Sequence, residues 1–340
     1  MQAAPDAPHI FYESNTILVR SVTGTSRRPE ARVQSFPLAH RHRIAVHCTF
    51  SEHPEWDFST PLQETLTVEP AVYPAAHRLL AISDIEGNFD ALRDLLLANG
   101  VIDTHYSWTF GNGRLVLVGD CMDRGPHVTE CLWLLYSLEI KARQQGGHVH
   151  FILGNHEIMN MADDLRYVPA KYLANARLLR CDYTLWYKPG TELGRWLATK
   201  NVVEKIGPLL FVHGGISSMV NDLQLSIPEM NELCRRRYFT QLLPGHAASY
   251  LLMDAPGAPF WYRGYAMGNA TLQQVNDTLR RFAVEHIVIG HTTVSQVTTF
   301  FNGKVIDVDT LHATGISEGL LLQNGRLFRV DKTGRREALE

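Results

Sequence analysis

The chain has 340 residues, 45% of them hydrophobic and 20% charged, with a formal charge of −3 and an isoelectric point near 6.6. That length and apolar content sustain a large core without staples, and a net negative field disfavours nucleic acid and anionic lipid as partners. No apolar run reaches the roughly 18 residues that span a bilayer, and the five cysteines form neither CxxC pairs nor a disulfide framework, which argues against a zinc ribbon.

The polar, Ala/Pro-rich opening reads as the mature end of an exported protein, favouring a periplasmic or secreted location over a cytoplasmic one. Residues 1–77 are expected to form a β-rich extension, with strands over 17–22 and 44–50. His40, His42 and His47 read as solvated or structural histidines. The basic runs Arg27-Arg28 and Arg235-Arg236-Arg237 read as solvated faces or loops, and Cys131 and Cys234 as buried apolar residues on helices.

From Arg78 the pattern changes to alternating strands and helices, and residues 78–340 read as one α/β catalytic domain. A strand over 79–82 ends at Ser83-Asp84, and a helix over 89–97 places Phe89, Leu92, Leu95 and Leu96 on one face. A strand over 115–118 ends at Gly119-Asp120, and the next helix carries Val128, Cys131, Leu132, Leu135 and Leu138 at helical spacing. A third strand over 149–153 ends at Gly154-Asn155. Such a βαβαβ unit predicts parallel strands with right-handed crossovers and helices on both faces. Residues 158–207 are expected to be mainly helical. Strands over 209–212 and 286–289 end at His213 and Gly290-His291, with a second helical insertion between them. Asn302-Gly303 and Asn324-Gly325 mark two hairpins, because both turn residues must take positive φ.

Five buried strands thus end in a polar residue beside a glycine: Asp84, Asp120, Asn155, His213 and His291. Ligands bind at the carboxyl ends of parallel strands, so the five are expected to converge, with the glycines allowing sharp turns and close approach. Carboxylate, amide oxygen and imidazole suit Mn, Fe, Zn or Mg, and the lack of thiolate argues against a purely soft site. A carboxylate shared between two cations about 3.5–4 Å apart favours water attack in an in-line displacement.

The order Asp84-Ile85-Glu86-Gly87-Asn88, Gly119-Asp120-Cys121-Met122-Asp123-Arg124-Gly125, Gly154-Asn155-His156-Glu157, His213-Gly214-Gly215 and Gly290-His291-Thr292 resembles the calcineurin-like metallophosphoesterases. The Asp-Arg-Gly and Asn-His-Glu forms resemble their phosphoprotein phosphatase branch. The stretches Ile158-Met159-Asn160-Met161, Asp164-Leu165-Arg166-Tyr167 and Phe260-Trp261-Tyr262-Arg263-Gly264 resemble the Shewanella-like phosphatases. The resemblance spans about residues 78–310 and leaves the N-terminal segment out.

It implies a metallophosphoesterase-type βαβαβ sandwich with helical insertions and two divalent metal ions. Asp84 would hold metal 1, Asp120 would bridge, and Asn155, His213 and His291 would complete metal 2. His156 would be the general acid, oriented by Asp123, while Arg124 and Arg263 clamp phosphate oxygens, with Arg166 as the alternative to Arg263. One position departs from the pattern: Glu86 stands where Asp-x-His is usual. Glu86 as a ligand would shift metal preference toward Mn or Mg. The expected substrates are phosphorylated proteins, peptides or small phosphomonoesters; Trp186, Tyr187, Trp261 and Tyr262 read first as packing residues, with stacking on a phosphotyrosine ring as the other reading. The alternatives are a nucleotide or dinucleoside polyphosphate hydrolase, and a catalytically impaired phosphoprotein-binding module.

Overall fold

A computed structural model of the chain describes residues 2–240 and 247–339. Three strands open it as an antiparallel sheet in the order β1 (Asp6–Glu13), β2 (Thr16–Thr25) and β3 (Arg28–Pro37). A second antiparallel pair follows, β4 (Ala45–Cys48) with β5 (Phe58–Pro61). The extension is therefore β-rich: the strand expected over 17–22 is longer, the one expected over 44–50 is shorter, and β1, β3 and β5 were not expected.

The two-residue strand β6 (Val72–Tyr73) leads into the α/β region of β7 (Arg78–Ile82), α1 (Phe89–Ala98), β8 (Arg114–Leu117), α2 (Val128–Gln144) and β9 (His148–Phe151). β7, β8 and β9 pair in parallel. Helices α3 (Asn155–Met161), α4 (Ala170–Leu178) and α5 (Glu192–Leu197) then lead to the antiparallel pair β10 (Val203–Ile206) and β11 (Leu209–Val212). Helices α6 (Ser218–Asp222), α7 (Ile227–Arg235), α8 (Ala247–Met253) and α9 (Leu272–Phe282) precede β12 (His286–Ile289), β13 (Thr298–Phe300) and β14 (Val305–Asp307). The chain closes with the meander β15 (Glu318–Gln323), β16 (Arg326–Asp331) and β17 (Arg336–Ala338).

These strands form two mixed sheets, in the orders β17-β16-β15-β7-β8-β9 and β13-β14-β12-β11-β10-β6. Leu79, Ala81, Val116, Val118 and Ile152 of the first share one buried cluster with Leu209, Phe211, Val288 and Ile306 of the second. The alternate residues, Leu80, Ile82, Leu115, Leu117, Leu210, Val212, Ile287 and Ile289, belong to a larger cluster with the helices. Each sheet therefore has helices on one face and its partner sheet on the other. The expectation of helices on both faces of a sheet is corrected: a strand apolar on both sides is satisfied equally by a second sheet.

Within 158–207, β10 is a strand that the aromatic-rich, helical reading missed. The Asn324-Gly325 turn is a two-residue hairpin with φ of 52° and 76°, whereas Asn302-Gly303 sits inside a longer loop between Phe300 and Val305. Cys131 and Cys234 are buried on α2 and α7. His40 and His42 lie in a single 3-10 turn, and His47 pairs with Ser59 Oγ at 2.7 Å. The triple arginine is not a solvated run. Arg237 is buried near Asp254, and Arg235 donates to the carbonyls of Ala198 and Lys200 and to Asn201 Oδ1; only Arg236 extends into solvent. Among the described residues no helix is long and apolar enough to cross a membrane.

Helix α2 is buried around most of its circumference from Val128 to Glu139, because β1 covers the side that β9 does not. Trp133 Nε1 donates to Pro8 O at 2.8 Å, and Ala7 N donates to Glu130 Oε1 at 3.0 Å. A second tie runs through the buried carboxylate of Glu192. It accepts from Tyr136 Oη at 2.6 Å, from Arg41 Nη2 at 2.8 Å and from Tyr12 Oη. Removing the arginine would strand that charge in the interior. Arg41→Met is expected to cost about 3 kcal/mol, read as a lower urea midpoint at unchanged slope.

Candidate active site

Two loops build the floor of the site. Beyond the strand ends, Asp84 N donates to Gly119 O at 3.0 Å, Glu86 N to Asp120 O at 3.0 Å and Gly87 N to Cys121 O at 2.9 Å, so the loops after β7 and β8 stay zipped. The carboxylate of Glu157, in the first turn of α3, then gathers four main-chain amides. It accepts from Asp120 N at 2.9 Å, Cys121 N at 2.8 Å, Met122 N at 3.1 Å and Gly154 N at 2.8 Å.

The sharp turns fall on the functional residues themselves. Asp84, Glu86, Asp120, Asp123, Arg124 and His291 have φ of 52°, 47°, 53°, 69°, 54° and 67°, a conformation costing roughly 1–3 kcal/mol for each non-glycine residue. Two neighbouring glycines serve as room instead. A Cβ on Gly154 would strike Asp120 Oδ1, and one on Gly290 would strike Ser83 Oγ and Asp84 Oδ2.

The five strand-end residues converge as expected, from both sheets. His213 Nδ1 donates to Val118 O at 2.7 Å, which fixes the tautomer and leaves Nε2 as an acceptor. That nitrogen lies 3.0 Å from Asp120 Oδ2 and 3.1 Å from the Asn155 amide oxygen. The same amide oxygen stands 2.8 Å from His291 Nδ1 and 3.3 Å from Asp120 Oδ2. Four lone-pair donors thus face one point, and His291 Nε2 is buried without a protein partner. Burial opposes charge on His213, yet Asp120 and Asp84 raise its pKa to about 10, so the Nε2 lone pair is free for a cation only when the cation takes the place of a proton. The field there favours a positive charge, and hard oxygen with imidazole nitrogen is a donor set that fits a divalent cation.

Potential ligand atoms of Asp120, His213 and His291 lie within 4.8 Å of one another, as do those of Glu86, Asp120 and His156. Asp120 belongs to both groups, the position a shared carboxylate requires. Asp84 is buried beside them. Its Oδ2 accepts from Ser83 Oγ at 2.5 Å and His291 N at 3.1 Å, and burial, partly offset by His213, raises its carboxyl to about 6.

Next to this cluster His156 Nδ1 lies 2.7 Å from Asp123 Oδ2. Asn160 Nδ2 donates to Asp123 Oδ1 at 2.9 Å, and Tyr183 Oη donates to Asn160 Oδ1 at 2.7 Å. Burial works against a charged His156, but Asp120 and Asp123 outweigh it and raise its pKa. Arg124 reaches over the site half-exposed and ion-paired with Glu86. Arg263 donates to His291 O, and to Thr292 Oγ1 at 3.2 Å. Arg166 is turned to solvent in a pair with Asp164, with Nη2 2.7 Å from Oδ2.

Of the four aromatics weighed between packing and aryl stacking, Trp186 and Tyr187 are each 1% exposed and so are packing residues closed to any ligand. Trp261 remains, half-buried, 5.9 Å from the ring of His291, while the Tyr262 hydroxyl accepts from Gln274 Nε2. The sequence reading missed the amide clamp of Glu157, the residue Asn160 that bonds Asp123, and the buried carboxyls Asp307, at the end of β14, and Asp309, just past it. Burial, with Asp84 and Asp307 nearby, lifts Asp309 to about 9. The strand-end rule would have found the last pair.

A model of the calcineurin-like phosphoesterase family matches residues 77–295. The chain belongs to that family. It is therefore a hydrolase of the metallophosphoesterase kind, and family members use a dinuclear metal centre. The chain is 25% identical to Shewanella-like protein phosphatase 2 of Arabidopsis thaliana over 292 residues, covering 72% of this chain and 73% of that one. It is 24% identical to Shewanella-like protein phosphatase 1 of Plasmodium berghei over 247 residues, 68% of this chain and 66% of that one. The crystal structure of the cold-active protein-tyrosine phosphatase of a psychrophilic Shewanella species superposes with a TM-score of 0.86 at 33% identity, over 99% of this chain and all of that one. That likeness runs through the N-terminal strands, which the motif resemblance left out.

Because Glu157 satisfies four buried donors at once, Glu157→Gln would set a donor against donors. We expect a loss on the order of 3 kcal/mol in urea unfolding, together with a fall in bound metal measured by elemental analysis of the purified protein.

Proposed function

We propose that this phosphoesterase is a phosphoprotein phosphatase that hydrolyses phosphate monoesters, phosphotyrosine foremost. The observation that carries the reading is the adjacency of the four-acceptor cluster, the His156–Asp123 pair and the Arg124 guanidinium at one rim. The Shewanella relative, described as a protein-tyrosine phosphatase, supports the choice of substrate.

In this reading Asp84, Asp120, Asn155, His213 and His291 would hold two divalent ions, Asp120 being the residue that belongs to both candidate ligand groups. Such ions lower the pKa of a water and neutralise charge on phosphoryl oxygens. The rest is the chain's own work. Arg124, with Arg263 on the opposite side beside His291, orients the phosphoryl group through planar, charged donors. Asp123 accepts from His156 Nδ1 and favours the doubly protonated ring, whose Nε2 proton goes to the leaving oxygen. The upward shift of the His156 pKa by Asp120 and Asp123, against burial, favours that charged form. Asn160 and Tyr183 keep Asp123 from rotating away.

Glu86 has two claims on it. Its carboxylate lies close enough to Asp120 and His156 to join the metal cluster, and it also neutralises Arg124. As an internal anion it competes with phosphate for the same guanidinium.

The activity is tested by hydrolysis of matched phosphotyrosyl and phosphoseryl peptides and of diadenosine tetraphosphate, with added Mn, Zn, Fe or Mg. A folded, metal-loaded protein inert on all of them refutes the proposal, and binding without turnover would identify a phosphoprotein-binding module. His156→Asn is expected to keep its metal and lose about 2–4 orders of magnitude in kcat on substrates with poor leaving groups. Glu86→Gln should tighten inorganic phosphate binding by up to about fivefold in calorimetry, the ceiling for a half-exposed ion pair.

A further inference from the structure

The mouth of the site carries an aromatic ring that the mechanism above does not use. Tyr167, in the turn between α3 and α4, is 45% exposed. A large ring left open to water is nonetheless held in place. Its centroid is 5.0 Å from the imidazole of His156, and the guanidinium carbons of Arg124 and Arg166 lie 5.6 Å and 5.9 Å from it. Its carbonyl accepts from the Arg124 backbone amide at 3.4 Å. Tyr167 thus borders both the phosphate clamp and the leaving-group acid.

Geometry decides what such a ring can touch. In an in-line displacement the leaving oxygen must sit within hydrogen-bond reach of the proton on His156. The group attached to that oxygen lies one bond farther out, on the side of the acid. The open surface beside His156 is the ring of Tyr167. A phenolic leaving group places its own ring against that wall, in the offset or edge-on contact aromatic pairs favour. A serine or threonine leaving group has a single carbon at this point and then main chain, so it gains little. The half-buried Trp261 lies on the His291 side, away from the leaving group.

We propose that Tyr167 is a specificity-determining residue that selects aryl over alkyl phosphate monoesters by packing on the leaving-group ring, which in protein substrates means phosphotyrosine. The inference rests on the placement of His156 as the acid in the proposed function.

The test uses the full chain loaded with Mn. Values of kcat/KM are measured on phosphotyrosyl and phosphoseryl peptides of one sequence for the parent, Tyr167→Phe and Tyr167→Leu. Tyr167→Leu should lower kcat/KM on the phosphotyrosyl peptide by about 3–10-fold, mostly through KM, and leave the phosphoseryl value within about twofold. Tyr167→Phe should keep the parent ratio. In parallel, calorimetric titration with phenylphosphonate and methylphosphonate reads the wall without turnover, and Tyr167→Leu should weaken only the phenyl compound. Equal losses on both peptides, or on both phosphonates, would reduce Tyr167 to a prop for Arg124 and overturn the proposal, as would an unchanged ratio. A parent protein inert on every ester would refute the proposed activity, while the phosphonate comparison would still decide on Tyr167.

Discussion

Four main-chain amides on two different loops point at the carboxylate of Glu157, and the site depends on that convergence. The loop after β8 is zipped through its carbonyls to the loop after β7, but the amides of Asp120, Cys121 and Met122 are left for Glu157, and it must carry Asp120, Asp123 and Arg124 in left-handed conformations that cost free energy. An unmade buried hydrogen bond costs more than a made one contributes, so one anion meeting four donors fixes the loop more firmly than four separate contacts at the surface. The same carboxylate binds the loop to Gly154, at the start of α3. It therefore sets the distance between Asp120 and His156, which follow separate strands.

What the clamp holds is an arrangement of like groups. Oxygen and nitrogen lone pairs of Asp120, Asn155, His213 and His291 face one another within about hydrogen-bonding distance, and Asp84, Asp307 and Asp309 add carboxyl groups that burial and mutual repulsion push toward their neutral forms. Stability supplied elsewhere sustains this crowding, chiefly by the apolar seam between the two sheets. Cations entering the cluster would relieve it, and so would stabilise the whole fold by mass action.

Much of this was legible beforehand because strand ends announce themselves: an apolar run, then a polar residue beside a glycine. All five such residues meet in space, and the βαβ pairing of β7, β8 and β9 follows from the alternation of periodicities. The failures have physical reasons. A strand buried on both faces cannot declare whether a helix or a sheet lies opposite, so the stacked sheets followed from the family resemblance and not from the hydrophobic pattern. Sequence does not reveal exposure, so buried Trp186 and Tyr187 could not be told from open rings, and Tyr167, 45% exposed, sits in a polar turn without periodicity. The role of Glu157 was hidden because its partners are backbone amides, which every residue but proline carries.

The enclosure of α2 bears on how this protein can diverge. With β1 seated on one flank and β9 on the other, the side chains of Trp133 and Glu192 face partners contributed by residues near the start of the chain, and Tyr136 bonds to Glu192. The opening strands are thus not a detachable module that recombination could exchange freely among related enzymes. Descent is constrained to keep both halves together, and drift at Tyr12 or Arg41 must be matched at Glu192.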